Sequence, residues 1–223
     1  MKRDLFITDL WEFDFPYHAQ FKKQISDFLQ SDYAEDYLKW QAEQNPSLTS
    51  YGGNELWYER EASITSFFEL HTRRLLSKVD EVHDWESGEW KNFEQWLNVN
   101  QKGDFNPPHI HPGHHYSGCY YVNFPEDSGH IHFLDPRPQH RIASPDLPNR
   151  PDPPDSNTEE SGNPYAVTNP YDSSVFTYKI KEGKIIIFPS WLMHYVDPNP
   201  NDSTRVSIAF NANYISNYEY SEK

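Results

Sequence analysis

The chain has one cysteine, Cys119, among 223 residues. That excludes an intrachain disulfide and suits a reducing compartment, so a cytoplasmic location is expected. No apolar run approaches the roughly eighteen residues that a membrane-spanning helix needs. The opening segment, MKRDLFITDLWEFDF, is acidic rather than basic and then apolar, so it does not read as an export signal. Basic residues are also few. Nineteen Lys plus Arg stand against thirty-four Asp plus Glu, a formal charge of -15 that repels phosphate backbones and anionic lipid surfaces. Neither nucleic acid nor membrane is therefore an expected partner. Glycine-rich phosphate loops, dinucleotide fingerprints and the G-x-S-x-G nucleophile turn are missing too, and Cys119 lies mid-strand with nothing in the sequence to make it a thiolate.

What is present is proline and aromatic residues. Eighteen prolines and fifteen tyrosines, with a mean hydropathy of -0.90, describe a loop-rich, mainly β protein with an aromatic core. The length suits a single domain, 1-223, and the composition leaves a homodimer open. Residues 1-88 read as a buttress of helices and one strand. Leu5 to Phe15 predicts an edge strand. Phe21, Ile25, Phe28 and Leu29 fall at helical spacing and predict a helix from His18 to Leu29, and Tyr33 to Gln44 predicts a weaker one. Ser63 is read as the N-cap of a helix from Ile64 to Val79, whose apolar stripe includes His71 as a hydrogen-bonded core residue.

Residues 89-216 read as the β core. Trp90 to Asn100 predicts a strand with Phe93, Trp96 and Val99 inward. Ser117 to Phe124 and His130 to Leu134 predict a hairpin around the turn Pro125 to Gly129. Pro136 to Ser174 (insertion 136-174) loses all apolar periodicity and reads as a long loop, either a substrate-gating lid or a plain insertion. Val175 to Ile180, Lys184 to Phe188 and Arg205 to Tyr214 predict the last strands.

Six of the eleven histidines fall between Asn106 and Arg137. His109 and His111 stand at i and i+2, so an extended backbone sends both imidazoles to one face, where two can grip one metal ion. His194, on a strand far downstream, is the candidate third ligand. The same parity groups Ser117, Cys119 and Tyr121 on an inner face, with Ile131 and Phe133 as an apolar wall and His130 and His132 turned away. Arg205 and Ser207 share a face, and a guanidinium fork with a hydroxyl suits a carboxylate.

The two blocks NPPHIHPGHHYSGCYYVNFPEDSGHIHFLDPR and GKIIIFPSWLMHYVDPNPNDSTRVSIAFN resemble the 2-oxoglutarate- and Fe(II)-dependent oxygenases. The resemblance implies a double-stranded β-helix, or jelly roll, with Fe(II), 2-oxoglutarate and O₂ as the reacting set. It makes His109 and His194 the iron histidines and puts His111 where the wider superfamily keeps Asp or Glu. Arg205 would meet the distal carboxylate of 2-oxoglutarate, assisted by Ser207, Tyr121 and Ser117. The expected reaction hydroxylates a small molecule or a protein side chain and releases succinate and CO₂. Three alternatives stand beside it. One is a non-catalytic, cupin-like module that only binds a metal or ligand. Another is a four-histidine site using His115. The last is a halogenating variant, in which His111 is the first ligand and Gly113 takes the carboxylate position.

Overall fold

The computed structural model describes residues 7-32, 62-83, 88-137 and 175-216, with single positions 34, 36, 39 and 43. The helix expected over Tyr33 to Gln44 and the lid expected over Pro136 to Ser174 lie outside the described residues, apart from those single positions and from 136 and 137. Among the described residues the chain runs β1 (Trp11-Asp14), α1 (His18-Leu29), α2 (Ala62-His83), β2 (Gly88-Asn100), β3 (Asn106-His109), β4 (Tyr116-Asn123), β5 (Ile131-Leu134), β6 (Val175-Tyr178), β7 (Lys184-Pro189), β8 (His194-Val196) and β9 (Arg205-Ser216).

Every strand pairing is antiparallel. Five strands form one sheet in the order β1-β7-β4-β9-β2, and four form the other in the order β3-β8-β5-β6. From β3 to β9 the chain passes back and forth between the sheets, which is the winding of a jelly roll. β4 and β5 are therefore not a hairpin, contrary to the expectation from the turn at Pro125 to Gly129. β4 has both neighbours filled by β7 and β9, while β5 pairs with β6 and β8. Nearly every position of β4 is buried on both faces, so its residues carry no mark of the sheet they join.

The helices cover the outer face of the five-stranded sheet. α1 buries Phe21, Ile25 and Phe28 at helical spacing, and α2 adds Phe68, Leu75, Leu76 and Val79 to the same core, which meets Tyr120, Ile185, Ile208 and Phe210 of the sheet. Burying each of these side chains contributes about 1.5-3 kcal/mol. α2 already includes Ala62, so Ser63 lies inside the helix and is not its N-cap. His71 is buried, and its Nδ1-H donates to the Phe67 carbonyl four residues earlier at 2.8 Å. It is a core histidine far from the other imidazoles in sequence, satisfied within its own helix.

A second core lies between the sheets, built on Tyr121, Ile131, Phe133, Ile186 and Phe188. Along β2, Leu97 and Val99 join the helix-side core, whereas Trp96 faces the space between the sheets. Of these core candidates, Val99 thus lies in the helix-side core and Trp96 in the cavity wall, since residues three apart on a strand have opposite parity. The side chain of Phe93 is not described. No helix among the described residues is long and apolar enough to cross a membrane.

Candidate metal centre and carboxylate pocket

β3 and β8 pair so that His109 stands directly opposite His194, and direct partners project to one face of a sheet. Their ring centroids are 4.3 Å apart. His111 follows two residues later, and its backbone N-H donates to the Ser190 carbonyl at 2.9 Å. That bond holds its ring 4.9 Å from His109 and 5.2 Å from His194. The candidate ligand nitrogens of the three residues lie within 4.8 Å of one another.

The tautomers fit a metal. His109 Nδ1-H donates to the Pro107 carbonyl at 2.7 Å and His194 Nδ1-H to the Leu192 carbonyl at 2.8 Å, so both present the Nε2 lone pair. A backbone carbonyl behind each ligand fixes the ring and raises its basicity. All three imidazoles sit below the ordinary histidine pKa. Burial is the first cause, reinforced for His111 and His194 by neighbouring imidazoles, and it brings His111 to about 4 and His194 to about 3. They are neutral, hence ready to ligate, at neutral pH. His115 is not part of this group: it is exposed and its Nδ1 accepts the Tyr214 N-H at 3.1 Å. The four-histidine site thus has no geometric basis. His109, which the shifted register leaves out, is in the group, and Gly113 lies beyond it in a turn.

Arg205 opens β9 and is 2% exposed. Its Nη1 donates to the Ser128 carbonyl and, at 3.3 Å, to the Asp197 carbonyl, while Nη2 is buried with no partner. Burial lowers the guanidinium below its ordinary pKa. Gly129, directly after Ser128, leaves room for the approach of Nη1 to the two carbonyls. It has φ +90°, and a Cβ there would lie 2.8 Å from Arg205 Nη1. Tyr121 is the cross-strand partner of Ser207. Its hydroxyl is buried without a nitrogen or oxygen partner, and burial keeps it protonated, well above the ordinary tyrosine pKa.

A cavity of about 560 Å³, mouth included, joins the two groups. His109, His111, His194, Arg205, Ser207, Tyr121 and Cys119 all line it, and among the described residues its wall contains no Asp or Glu. Burial pushes the Cys119 thiol up to about 11, so it is not a nucleophile at neutral pH. Ser117 stands apart from the lining. Its hydroxyl accepts from Ser190 Oγ at 2.8 Å and donates to Asn211 Oδ1 at 2.7 Å, which ties β4, β9 and the turn before β8 behind the histidines. Ile131 is in the wall, and Phe133 packs behind His194 at 6.0 Å between centroids. His132 faces away. It bonds Asp197 at 2.7 Å and Thr177 at 2.9 Å on the far side of the small sheet.

Four polar lining residues escape the sequence reading as site residues: Trp96, Asn98, Asn100 and Asn106. Asn98 Oδ1 and Trp96 Nε1 are buried without hydrogen-bond partners. The i, i+2 spacing in WLNVN carried the signal, since it sets Trp96 and Asn98 on one face and Leu97 and Val99 on the other.

A jelly roll holding in one cavity a neutral imidazole cluster and a buried guanidinium whose Nη2 has no partner, with no acid among the described lining residues, defines a metal-dependent enzyme for an acidic ligand. The model of the family described as "Putative 2OG-Fe(II) oxygenase" matches residues 94-211, more than half of the chain, and the chain belongs to that family. It is thus a 2-oxoglutarate- and Fe(II)-dependent oxygenase. Among solved structures it is similar to a prolyl-4-hydroxylase from Pseudomonas putida, with 13% identity over 92% of this chain and 87% of that one and a TM-score of 0.54. It is similar to HygX from Streptomyces hygroscopicus, solved with nickel and 2-oxoglutarate bound, with 13% identity over 97% and 85% of the two chains and a TM-score of 0.51. The non-heme monooxygenase ThoJ, in complex with nickel, gives 11% identity, 94% and 74% coverage and a TM-score of 0.51. At these identities the likeness is one of fold. No curated protein matches the chain.

Proposed function

We propose that the chain hydroxylates a C-H bond of a small molecule or a protein side chain, with His109, His111 and His194 as the iron ligands and Arg205 as the anchor of 2-oxoglutarate. The observation that carries this reading is Arg205, whose Nη2 is buried without a partner and which lines the same cavity as the three histidines. Iron bound there supplies redox chemistry that couples conversion of 2-oxoglutarate and O₂ to succinate and CO₂ with transfer of one oxygen atom to the substrate.

The protein's own groups bind and orient. A dicarboxylate in a partly dry cavity needs its distal carboxylate neutralised, because a buried unpaired charge is costly. Arg205 Nη2 meets that need with a charged donor held by two carbonyls, and the Tyr121 hydroxyl adds a neutral donor that burial keeps protonated. Ser207 lies beside Tyr121 on the neighbouring strand. Ile131 and Phe188 form apolar wall that excludes water from the reacting end. Three imidazoles carry no charge, so the loaded centre is one unit more positive than one with a carboxylate ligand, which favours an anionic chelating cosubstrate.

The test is anaerobic titration with Fe(II) and 2-oxoglutarate, followed at the metal-to-ligand charge-transfer band. Arg205→Leu should keep its metal and weaken 2-oxoglutarate by about 2-5 kcal/mol, the cost of truncating one partner of a buried charge pair. Lys should rescue in part, since it offers a point charge in place of a fork. A parent protein that binds metal but no 2-oxoglutarate is a metal-binding jelly-roll module and not an oxygenase.

A further inference from the structure

Strand β2 carries two buried polar groups that neither the histidines nor Arg205 account for. Asn98 is 6% exposed, lines the cavity, and its Oδ1 has no hydrogen-bond partner. Two residues earlier on the same face, the indole Nε1-H of Trp96 is likewise buried, unpartnered and in the cavity wall. Buried polar atoms are nearly always paired, and an unpaired one is a standing cost that a bound ligand removes.

The register of the sheet orders these groups along the cavity. Asn100 stands opposite Arg205, Asn98 opposite Ser207 and Trp96 opposite Ala209, so successive rungs, roughly 6.6-6.8 Å apart, lead away from the base of Arg205. Asn98 shares its rung with Ser207 and, across β9, with Tyr121, which lines the same cavity as Arg205 and whose hydroxyl has no nitrogen or oxygen partner. Trp96 is one rung further on, and its ring centroid is 5.8 Å from that of His111. One orphaned group thus lies on the guanidinium side and the other on the imidazole side. A flip of the Asn98 amide sets either its carbonyl or its NH₂ at the unpaired position, so it can donate as well as accept.

We propose that Asn98 and Trp96 are positioning residues that complete the cosubstrate site, one at each end. The Asn98 amide joins Tyr121 and Arg205 on the distal carboxylate. The Trp96 indole N-H donates to the carboxylate of the 2-oxo-acid head next to the histidines. This assignment rests on the oxygenase reading above, and it makes β2 a second wall of donors facing those from β4 and β9.

Two probes separate the ends: 2-oxoglutarate, and 2-oxobutyrate, which keeps the 2-oxo-acid head and lacks the distal carboxylate. Affinities are measured by anaerobic calorimetry on Ni(II)-loaded protein, so no turnover is needed. Trp96→Phe, which deletes the N-H and keeps most of the ring, should weaken both acids by a similar factor, about tenfold or more for one hydrogen bond to a charged acceptor. Asn98→Leu should weaken 2-oxoglutarate by a like factor and leave 2-oxobutyrate unchanged. Trp96→His, which restores a ring N-H, should recover part of the loss, and Ni(II) occupancy should match the parent in every variant. Unchanged affinity for both acids in Trp96→Phe overturns the assignment of Trp96, and so does a loss confined to 2-oxoglutarate. An equal loss of both acids in Asn98→Leu overturns the assignment of Asn98. A parent that binds neither acid fails the oxygenase reading and this one together, whereas a parent that binds both, with both variants unchanged, fails this one alone.

Discussion

In the proposed centre His111 would take the ligand position where the resemblance puts a carboxylate. It is held by a backbone bond to Ser190 and lies against the other two imidazoles. Alanine at His109, His111 or His194 should cut metal occupancy at least about tenfold, read by equilibrium dialysis against Co(II). Full occupancy in all three variants would sink the ligand set. His111→Asp should retain the metal and 2-oxoglutarate turnover if position 111 is a ligand position. The depressed pKa values of the histidines also have a consequence for stability. Folded-state values below the unfolded one, about 6.5, mean that the unfolded chain binds the extra protons at intermediate pH. The metal-free protein therefore keeps this contribution above about pH 6.5 and loses it as pH falls toward the folded values of about 4 for His111 and about 3 for His194. Its urea midpoint should be lower at about pH 5 than at about pH 7, and the difference should shrink in His111→Gln. An equal difference in parent and variant removes His111 as a source.

At the scale of elements, the turn between β4 and β5 does more than reverse the chain. It carries the chain from one sheet to the other and delivers the Ser128 carbonyl to Arg205 Nη1. Gly129 makes this approach possible, because a side chain there would press on that nitrogen and on the Asp197 carbonyl, and its φ of +90° already disfavours any other residue. Gly129→Ala should thus act on the cosubstrate rather than on the metal. We expect weaker 2-oxoglutarate binding with Co(II) occupancy near that of the parent, and an unfolding free energy lower by about 1-3 kcal/mol for the strained backbone. Equal affinity for 2-oxoglutarate in parent and variant would separate this turn from the function of Arg205.

Over the whole molecule, thirty-four acids set against nineteen Lys plus Arg leave a charge of -15, yet no acid stands among the described residues that line the cavity. An excess of one sign repels itself and destabilises the compact state. Adding NaCl from about 0.01 M to about 0.15 M shortens the screening length from about 30 Å to about 8 Å. The thermal midpoint of the metal-free protein should rise over that range; a fall would show that favourable surface ion pairs outweigh the repulsion.

The sequence by itself determined what depends on neighbours along the chain. Helix α1 follows from the spacing of Phe21, Ile25 and Phe28, which a single period of 3.6 residues places on one face. The common face of Arg205 and Ser207 follows from strand parity alone, whereas His111 lies beyond the end of β3 and is brought to His109 by its backbone bond to Ser190. Parity also separates Trp96 from Val99, two core candidates that lie on opposite faces of β2. Tertiary structure decided what depends on pairing between distant strands. It set His194 opposite His109, sent β4 and β5 to different sheets, drew Ser117 out of the cavity wall and into bonds with Ser190 and Asn211, and left Arg205 Nη2, Asn98 and Trp96 without partners. The physical reason is that a strand buried on both faces carries no pattern naming its neighbours. Whether a polar group is satisfied is likewise a property of everything packed around it, not of its own position in the chain.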